Sequence, residues 1–267
     1  MKGLIDGKVA VITGAGSGVG RAASLLFARH GAKVVAADLD GASAEETVAQ
    51  VQAEGGSARA VQCDVADEAA VNEVVQVAVN AFGRLDIIYN NAGITIEPTP
   101  GKTRPSRLLE TTPEEIARMQ GVNVGGVLNG CRAAIRQFEK QASGGAIVNT
   151  SSVAGLIGWG GVVYGATKGA VTMITRALAL EVAAQGIRVN SVCPAGMLTK
   201  FAGMGKYGPL SEESKQRIAA QHPLGRTIDP MECANAALFL ASDLASNITG
   251  VNLPVDGGLS AGVPPRR

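Results

Sequence analysis

The sequence predicts an α/β fold built on one open, doubly wound parallel sheet of seven strands with helices on both faces. Short apolar runs alternate along the chain with amphipathic stretches of helical length, which is typical of a parallel sheet covered on both sides. Apolar residues make up 46% of the 267 residues and charged residues 18%, a globular composition. No linker-like segment interrupts the alternation, so residues 1–267 are predicted to form a single domain.

Seven short runs predict the strands, and the stretches between them predict helices. The first three helices end at Gly31, Gly55 and Gly83, where left-handed C-caps are expected. Asp67, followed by an acidic residue, is expected to cap the third helix. The predicted strands are Val9–Ile12, Lys33–Ala37, Ala58–Cys63, Leu85–Tyr89, Ala146–Asn149, Ile187–Val192 and Val251–Val255. The predicted helices are Val19–His30, Ala42–Glu54, Asp67–Phe82, Val162–Ala184 and Pro230–Ser242.

Two stretches lack this periodicity and are predicted to be loops. Residues 94–113 contain four prolines and make a connection longer than the fold requires. Residues 197–223 place glycines among apolar side chains after a strand end, which predicts a mobile flap over a pocket, with an ordinary surface loop as the alternative. The uncharged stretch 141–167 is long enough to raise the question of a membrane span. Its glycines and polar residues favour buried core and an active-site floor instead.

The charge balance excludes partners that require a basic surface. Lys and Arg number 24 against 23 Asp and Glu, with no long run of either sign. Nucleic acid requires a basic footprint, and an anionic membrane requires a basic cluster. The nearest candidates, Lys102, Arg104 and Arg107, are sparse and are interpreted as a solvated loop. We therefore expect neither nucleic acid nor a membrane as a partner.

The cysteines and histidines predict no metal site. The four cysteines form no C-x-x-C pair, and both histidines lie far from them in sequence. Three cysteines lie in apolar strand or helix contexts, so reduced, buried thiols in a reducing compartment are expected. The N-terminal residues lack the pattern of a signal peptide, and a cytoplasmic location is expected. The residues concerned are Cys63, Cys131, Cys193, Cys233, His30 and His222.

A glycine-rich segment follows the first predicted strand and opens the first helix. This is the position that a dinucleotide-binding fingerprint requires. Gly14 permits the turn, Gly18 lets the backbone approach a pyrophosphate, and Gly20 allows the helix to pack on the strand. The N-terminus of the helix then offers N–H groups to the phosphates. The segment predicts a Rossmann fold with cofactor contacts from Gly14, Ser17, Gly18, Val19 and Gly20.

Asp38 ends the second predicted strand, roughly 20 residues beyond the glycines, where an acidic residue is expected to bind the adenosine ribose. Its carboxylate would accept hydrogen bonds from both ribose hydroxyls and would repel a 2′-phosphate. No Arg or Lys occupies the glycine turn to neutralise such a phosphate. A surface aspartate is the alternative, but the position and the charge favour NAD over NADP.

Tyr164 and Lys168 lie four residues apart on the long predicted helix, so both side chains point the same way. A free tyrosine, with a pKa near ~10, is a poor base at neutral pH. A lysine ammonium on the same face is expected to lower that pKa. The interpretation of Tyr164 and Lys168 as a catalytic pair is strengthened by Ser151 and Ser152, which end a strand expected to border the same cleft.

These motifs together resemble those of the short-chain dehydrogenase/reductase family, in its compact single-domain branch. The resemblance rests on residues 13–20, 90–93 and 149–152 and on Tyr164-x-x-x-Lys168, four ordered motifs at sensible separations. It extends from about Gly7 to Ser260, and residues 255–258 resemble the usual ending of that branch.

The resemblance implies roles for individual residues. Tyr164 would exchange a proton with the substrate oxygen, and Lys168 would bind the nicotinamide ribose as well as lower the tyrosine pKa. Ser152 would hold the substrate oxygen, and Asn123 would anchor a water in the proton relay. Cofactor contacts are implied for Asp38, Leu39, Asp64, Val65, Asn90, Ala92, Gly93, Pro194 and Thr199.

Three departures from the family pattern stand out. Ser152 precedes Tyr164 by one residue fewer than is usual, whereas Ser151 has the usual separation. The Ser-x-x-Gly pattern nevertheless favours Ser152, in which case the missing residue falls within residues 158–163. Pro194 is followed by Ala195, where the family usually has glycine. The longer loop at 94–113 is expected to add a wall to the substrate pocket.

The leading hypothesis is a NAD(H)-dependent oxidoreductase that interconverts a secondary alcohol and its ketone. A non-catalytic NAD(H)-binding sensor or scaffold is the alternative, and the presence of all four catalytic residues argues against it. An enoyl reductase would resemble relatives with a wider Tyr–Lys spacing, so the four-residue spacing of Tyr164 and Lys168 argues against that activity. The resemblance also implies a homotetramer, assembled partly through the helix that carries Tyr164. An apolar pocket for a cyclic, aliphatic or steroid-like alcohol is suggested by Trp159, Met197, Leu198, Phe201, Met204 and Tyr207.

Overall fold

Seven parallel strands form the sheet that carries the rest of the chain. The computed structural model describes residues 3–96, 107–199, 201 and 211–262, and every count below refers to those residues. The strand order is β3-β2-β1-β4-β5-β6-β7, and each predicted strand is present with ends that differ by one or two residues. The strands are β1 (Val9–Thr13), β2 (Lys33–Asp38), β3 (Ser57–Gln62), β4 (Ile87–Asn90), β5 (Gly145–Thr150), β6 (Ile187–Pro194) and β7 (Asn252–Val255).

Eight α-helices lie within the described residues, three more than the sequence predicted. The additional helices are α4, α5 and α7. A five-residue π-helical turn, Gly121–Gly125, joins α4 to α5. The helices are α1 (Gly18–Arg29), α2 (Gly41–Ala53), α3 (Glu68–Phe82), α4 (Pro113–Gln120), α5 (Gly126–Lys140), α6 (Val162–Val182), α7 (Glu212–Ala219) and α8 (Pro230–Ala241).

The predicted helix ends are confirmed by their geometry. Gly31, Gly55 and Gly83 have φ angles of +90°, +81° and +87°, the left-handed region that glycine enters without strain. The carboxylate of Asp67 accepts a hydrogen bond from the backbone N–H of Ala69 at 2.8 Å and so caps α3.

The core lies in two layers, one on each side of the sheet. Successive residues of β1 alternate between them: Ala10 and Ile12 pack with α1 and α8, whereas Val9 and Val11 pack with α3, α5 and α6. The sheet is therefore doubly wound, as predicted, and stretch 141–167 supplies β5 and the start of α6 rather than a membrane span. No described helix has both the length and the apolar character needed to cross a bilayer.

The order of the strands determines where a site can form. β1 lies between β2 and β4, and the chain runs outward from this point in both directions along the sheet. In open α/β sheets, ligands bind at such a switch point, beyond the carboxyl ends of the strands. Both predicted loops border this edge, but residues 97–106 of the first and residues 200 and 202–210 of the second lie outside the described residues. Lys102, Arg104, Met204 and Tyr207 fall in these segments.

Candidate active site

Three glycines of the turn after β1, Gly14, Gly16 and Gly20, have no room for a side chain. Gly14 and Gly18 have φ angles of +63° and +50°. A Cβ on Gly20 would overlap the carbonyl oxygen of Gly14, and a Cβ on Gly16 would lie 2.9 Å from Oδ2 of Asp38. Ser17 precedes α1 without forming a side-chain cap, so the first N–H groups of the helix remain open to an anion. The turn therefore fits a pyrophosphate, and Gly16 is a constraint that sequence reasoning did not assign.

The carboxylate of Asp38 lies at the end of β2, beside this turn. It accepts hydrogen bonds from the N–H of Gly16 at 2.8 Å and from the N–H of Asp40 at 3.0 Å. The adjacent Leu39 side chain is 62% exposed. The guanidinium of Arg21 also reaches the turn, where it donates to the carbonyl of Gly16, but it is paired with Glu46 at 3.0 Å. A carboxylate thus forms the rim of the turn where a ribose would lie.

Two of the cofactor contacts that the resemblance implies, Asp64 and Val65, follow β3. Asp64 is exposed, and its carboxylate accepts a hydrogen bond from the N–H of Ala66 at 2.9 Å. Val65 is buried against Gly126, where a Cβ would come within 2.6 Å of its side chain. Both residues follow the carboxyl end of β3, which pairs with β2.

A chain of polar contacts connects the glycine turn with Lys168. The amide of Asn91 donates to the carbonyl of Thr13 at 3.0 Å, and Thr150 donates from its hydroxyl to the Asn91 side-chain oxygen at 3.2 Å. Lys168 then donates from Nζ to the carbonyl of Thr150 at 2.8 Å. Asn91 and Thr150 lie within the recognised motifs, but the motifs alone assign neither a role. They join β1, β4, β5 and α6 around the cleft.

The segment after β4 divides between the core and the cleft. The side chain of Asn90 is buried beneath the sheet, where it donates to the Asn149 side-chain oxygen at 2.9 Å. Any contact of Asn90 with a cofactor would therefore use its main chain. Gly93 faces the cleft, because a Cβ there would lie 3.4 Å from Nζ of Lys168 and 3.3 Å from Oδ1 of Asn123. Ala92 is anchored from β1, donating its N–H to the Thr13 hydroxyl at 3.1 Å.

Asn123 is fully buried in the π-helical turn between α4 and α5. Its amide holds both main-chain groups of Ile94: Oδ1 accepts from the N–H at 2.8 Å, and Nδ2 donates to the carbonyl at 2.9 Å. Nδ2 also donates to the hydroxyl of Thr167 on α6 at 3.1 Å. The side chain of Asn123 thus ties the segment after β4 to the helix that carries Tyr164.

The two serines after β5 have different surroundings. Ser151 donates from its hydroxyl to the main-chain carbonyl of Lys168 at 2.8 Å and so anchors α6. Ser152 donates to the carbonyl of Pro194 at 3.2 Å, and a hydrogen bond between its hydroxyl and that of Tyr164 offsets part of the rise that burial causes in the pKa of Tyr164. Of the two serines, Ser152 is therefore the one whose hydroxyl lies beside that of Tyr164.

The segment between Ser152 and Tyr164, which is one residue shorter than usual, contains two glycines with left-handed backbone angles. Gly160 and Gly161 have φ angles of +80° and +97°, a pair of reversals that few other residues tolerate. A Cβ on Gly160 would lie 3.4 Å from Cδ1 of Tyr164, so the turn runs against the tyrosine ring.

Burial sets the electrostatics of the Tyr164–Lys168 pair. Exclusion of water raises the pKa of Tyr164 to about 12, and it lowers the pKa of Lys168 to about 8. Nζ of Lys168 lies 5.7 Å from the centre of the Tyr164 ring. The pKa of Tyr164 is therefore raised above its ordinary value rather than lowered toward neutrality, because desolvation of the phenol is the largest cause.

The segment that follows β6 forms the other side of the cleft. A Cβ on Gly18 would lie 3.9 Å from Cγ2 of Thr199, so Thr199 stands opposite the glycine turn. The replacement of glycine by Ala195 leaves the strand hydrogen bonded, since its N–H donates to the carbonyl of Val255 at 3.2 Å. The ring of Phe201 packs edge-on against Tyr164, with 5.9 Å between centroids.

A pocket opens beside Tyr164, with walls that differ from those the sequence suggested. Trp159 and Met197 pack against the core, and Met197 contacts the thiol of Cys233. Of the proposed apolar set, Phe201 contacts the tyrosine. The pocket is lined by Thr95, Ile96, Leu108, Thr111, Met119, Gly160, Gly161, Val162, Val163 and Tyr164. Residues near the two ends of the predicted loop 94–113, on either side of the undescribed stretch 97–106, line this pocket.

Comparison with known proteins agrees with this geometry. The family model described as enoyl-(acyl carrier protein) reductase matches residues 14–260. The chain is 40% identical to 2,5-dichloro-2,5-cyclohexadiene-1,4-diol dehydrogenase LinX from Sphingobium indicum, over 98% of this chain and 100% of that one. It is 42% identical to meso-2,3-butanediol dehydrogenase from Serratia marcescens, over 96% of each. The chain belongs to the short-chain dehydrogenase/reductase family.

A solved structure supports the same conclusion. The 3-ketoacyl-(acyl-carrier-protein) reductase from Brucella melitensis, complexed with NADH, superimposes with a TM-score of 0.85 at 38% identity, covering 96% of this chain and 99% of that one. These relatives identify the protein as an oxidoreductase that interconverts a secondary alcohol and its ketone, as the sequence predicted. Its cofactor is a nicotinamide dinucleotide.

Proposed function

We propose that the chain is a NAD-dependent dehydrogenase of compact, uncharged secondary alcohols, which also reduces the corresponding ketones. The observation that carries the proposal is the meeting of Tyr164, Ser152 and Lys168 beside a narrow pocket whose described lining is uncharged. The names of the two dehydrogenase relatives, which both refer to small diols, support a compact neutral substrate.

The preference for NAD over NADP rests on Asp38. Its carboxylate stands at the rim of the glycine turn, and the guanidinium of Arg21, which could neutralise a phosphate, is paired with Glu46. A 2′-phosphate there would meet the Asp38 carboxylate, while the Arg21 guanidinium is already engaged by Glu46. Gly14, Ser17, Gly18, Val19 and Gly20 would hold the pyrophosphate, with Leu39, Asp64 and Val65 around the adenine and Ala92, Gly93, Pro194 and Thr199 toward the nicotinamide. The bound cofactor would supply the hydride chemistry.

Tyr164 would act as the acid and base. In oxidation it takes the proton of the substrate hydroxyl, and in reduction it returns a proton to the carbonyl oxygen. Ser152, hydrogen bonded to the tyrosine, would hold the same oxygen. Lys168 would bind the nicotinamide ribose, and its ammonium would favour the phenolate. Asn123 is a positioning residue, since its side chain is engaged by Ile94 and Thr167.

Assembly and location are further parts of the proposal. We infer a homotetramer, because α6 carries the exposed apolar side chains Met173 and Leu180, which are 59% and 83% exposed, and Leu128 on α5 is 41% exposed. A cytoplasmic location is supported by four cysteines that are free and buried.

The test is initial-rate turnover with NAD and NADP in parallel, over a panel of compact neutral alcohols and charged hydroxy acids, followed by absorbance of the reduced cofactor. The proposal expects turnover of neutral alcohols with NAD at a kcat/KM at least about tenfold above that with NADP. Preference for charged substrates or for NADP would contradict it. Tight NAD binding without turnover of any alcohol would favour the sensor or scaffold alternative.

A further inference from the structure

Two threonines line the pocket on the side formed by the segments that flank the 97–106 stretch. Thr95 follows β4, and Thr111 lies between a 3-10 turn, Leu108–Glu110, and the first residue of α4. We infer that Thr95 and Thr111 bind a second hydroxyl of the substrate, so that the substrates are diols and the corresponding hydroxyketones. The inference rests on the proposed function and assigns to its pocket a subsite for a second polar group.

Thr111 is held in a fixed position with its oxygen free to accept. Its N–H donates to the carbonyl of Leu108 at 3.3 Å, and its hydroxyl donates to the carbonyl of Arg107 at 3.1 Å. The next residue, Thr112, caps α4 through reciprocal hydrogen bonds with Glu115 at 2.8 and 3.2 Å. Because the Thr111 hydrogen is already committed, the lone pairs that remain on Oγ1 can accept from a substrate hydroxyl.

Thr95 is positioned by a different support. The residue before it, Ile94, has both its N–H and its carbonyl bound by the side chain of Asn123. Asn123 in turn is bound to Thr167 on α6, three residues after Tyr164. The place of Thr95 relative to the catalytic tyrosine is therefore set by hydrogen bonds. In the described structure the Thr95 hydroxyl makes no hydrogen bond to protein, so it can both donate and accept.

Among the described lining residues other than Tyr164, Thr95 and Thr111 are the ones with polar side chains that could bind a second polar group of the substrate. Apart from Tyr164, the other described lining side chains are apolar or absent. A second substrate hydroxyl could donate to the Thr111 oxygen, which only accepts, and could donate to or accept from the Thr95 hydroxyl. A monoalcohol of the same size would make no hydrogen bond to the Thr95 hydroxyl or to the remaining lone pairs of the Thr111 oxygen. The lining in question is Ile96, Leu108, Met119, Gly160, Gly161, Val162 and Val163.

The experiment compares a diol with its monoalcohol in variants of the threonines. The probes are 2,3-butanediol and 2-butanol, assayed with NAD, and the measured quantity is the ratio of their kcat/KM values. Thr111→Val and Thr95→Val remove each hydroxyl at nearly constant volume, and Thr111→Ser retains it. One neutral hydrogen bond corresponds to a factor of about 3 to 10, so each valine variant is expected to lower the ratio by about that factor. Thr111→Ser should keep the ratio of the unmodified enzyme.

The outcomes separate this inference from the proposed function. A ratio that falls in both valine variants and is retained in Thr111→Ser supports the subsite. Turnover of both alcohols with a ratio that neither valine variant changes overturns the subsite and leaves the proposed function standing. Turnover of neither alcohol by the unmodified enzyme, with turnover of charged hydroxy acids instead, overturns both. Because the two threonines lie on separate supports, a folding defect in Thr111→Val leaves Thr95→Val to decide.

Discussion

Replacing Lys168 with methionine is expected to abolish activity while making the folded protein more stable near neutral pH. Lys168 is 2% exposed, and burial lowers its pKa from 10.5 to about 8. The cost of holding the ammonium in the folded chain corresponds to about 3 kcal/mol at ~1.4 kcal/mol per pKa unit. Loss of the hydrogen bond to the carbonyl of Thr150 offsets about 1 kcal/mol of the gain. Lys168→Met should therefore raise the free energy of unfolding by about 2 kcal/mol.

The pH dependence gives this prediction its sign. Because the folded-state pKa is depressed, the cost is fully present below about pH 8 and disappears as the pH rises toward 10.5. The assay is urea unfolding near pH 7 and again near pH 10, with Lys140→Met as the matched control at an exposed position on α5. The control should shift stability little at either pH. A Lys168→Met protein that is less stable than the unmodified chain near pH 7, or whose difference does not shrink near pH 10, would refute the reasoning.

Three further predictions follow from the same geometry. Asp38→Asn removes the charge at the rim of the turn and should raise kcat/KM with NADP relative to NAD by about tenfold or more, as measured by parallel initial rates. Gly20→Ala forces a Cβ into the carbonyl of Gly14 and should lower the free energy of unfolding by about 1–3 kcal/mol, whereas Gly169→Ala, with open space around it, should raise it by about 0.5–1 kcal/mol in the same urea titration. Because burial raises the pKa of Tyr164, kcat/KM for oxidation should increase from pH 6 to pH 8, and a flat profile would contradict Tyr164 as the base.

The sheet was predictable because its strands are buried on both faces. Short continuous apolar runs such as Val9–Ile12 are typical of strands buried on both faces of a parallel sheet. The glycines at 31, 55 and 83 mark helix ends because glycine adopts left-handed backbone angles without strain. Helix α4 was missed although Thr112, Pro113 and Glu115 carry the signature of a helix start. The prolines upstream of it made the whole segment look like a loop.

The sequence predicted which residues lie at the site better than it predicted their burial, their pKa values and the walls of the pocket. The four-residue spacing places Tyr164 and Lys168 together, yet the effect of burial on their pKa values depends on tertiary packing, which no local pattern encodes. Likewise, the motif around Asn90 does not reveal that its side chain turns into the core. The pocket walls depend on which side chains the folded loops bring to Tyr164, a tertiary property.

The most direct test of the central claim is the effect of Tyr164→Phe on turnover and on cofactor binding, measured side by side. The change removes only the phenolic hydroxyl, beside Ser152. Trp159, the single tryptophan of the chain, lies five residues away and offers a fluorescence signal for titration with NAD. The account predicts a loss of alcohol oxidation of about 100- to 10,000-fold with NAD affinity nearly unchanged. Retained turnover in the phenylalanine variant would contradict the assignment of Tyr164 as the acid and base.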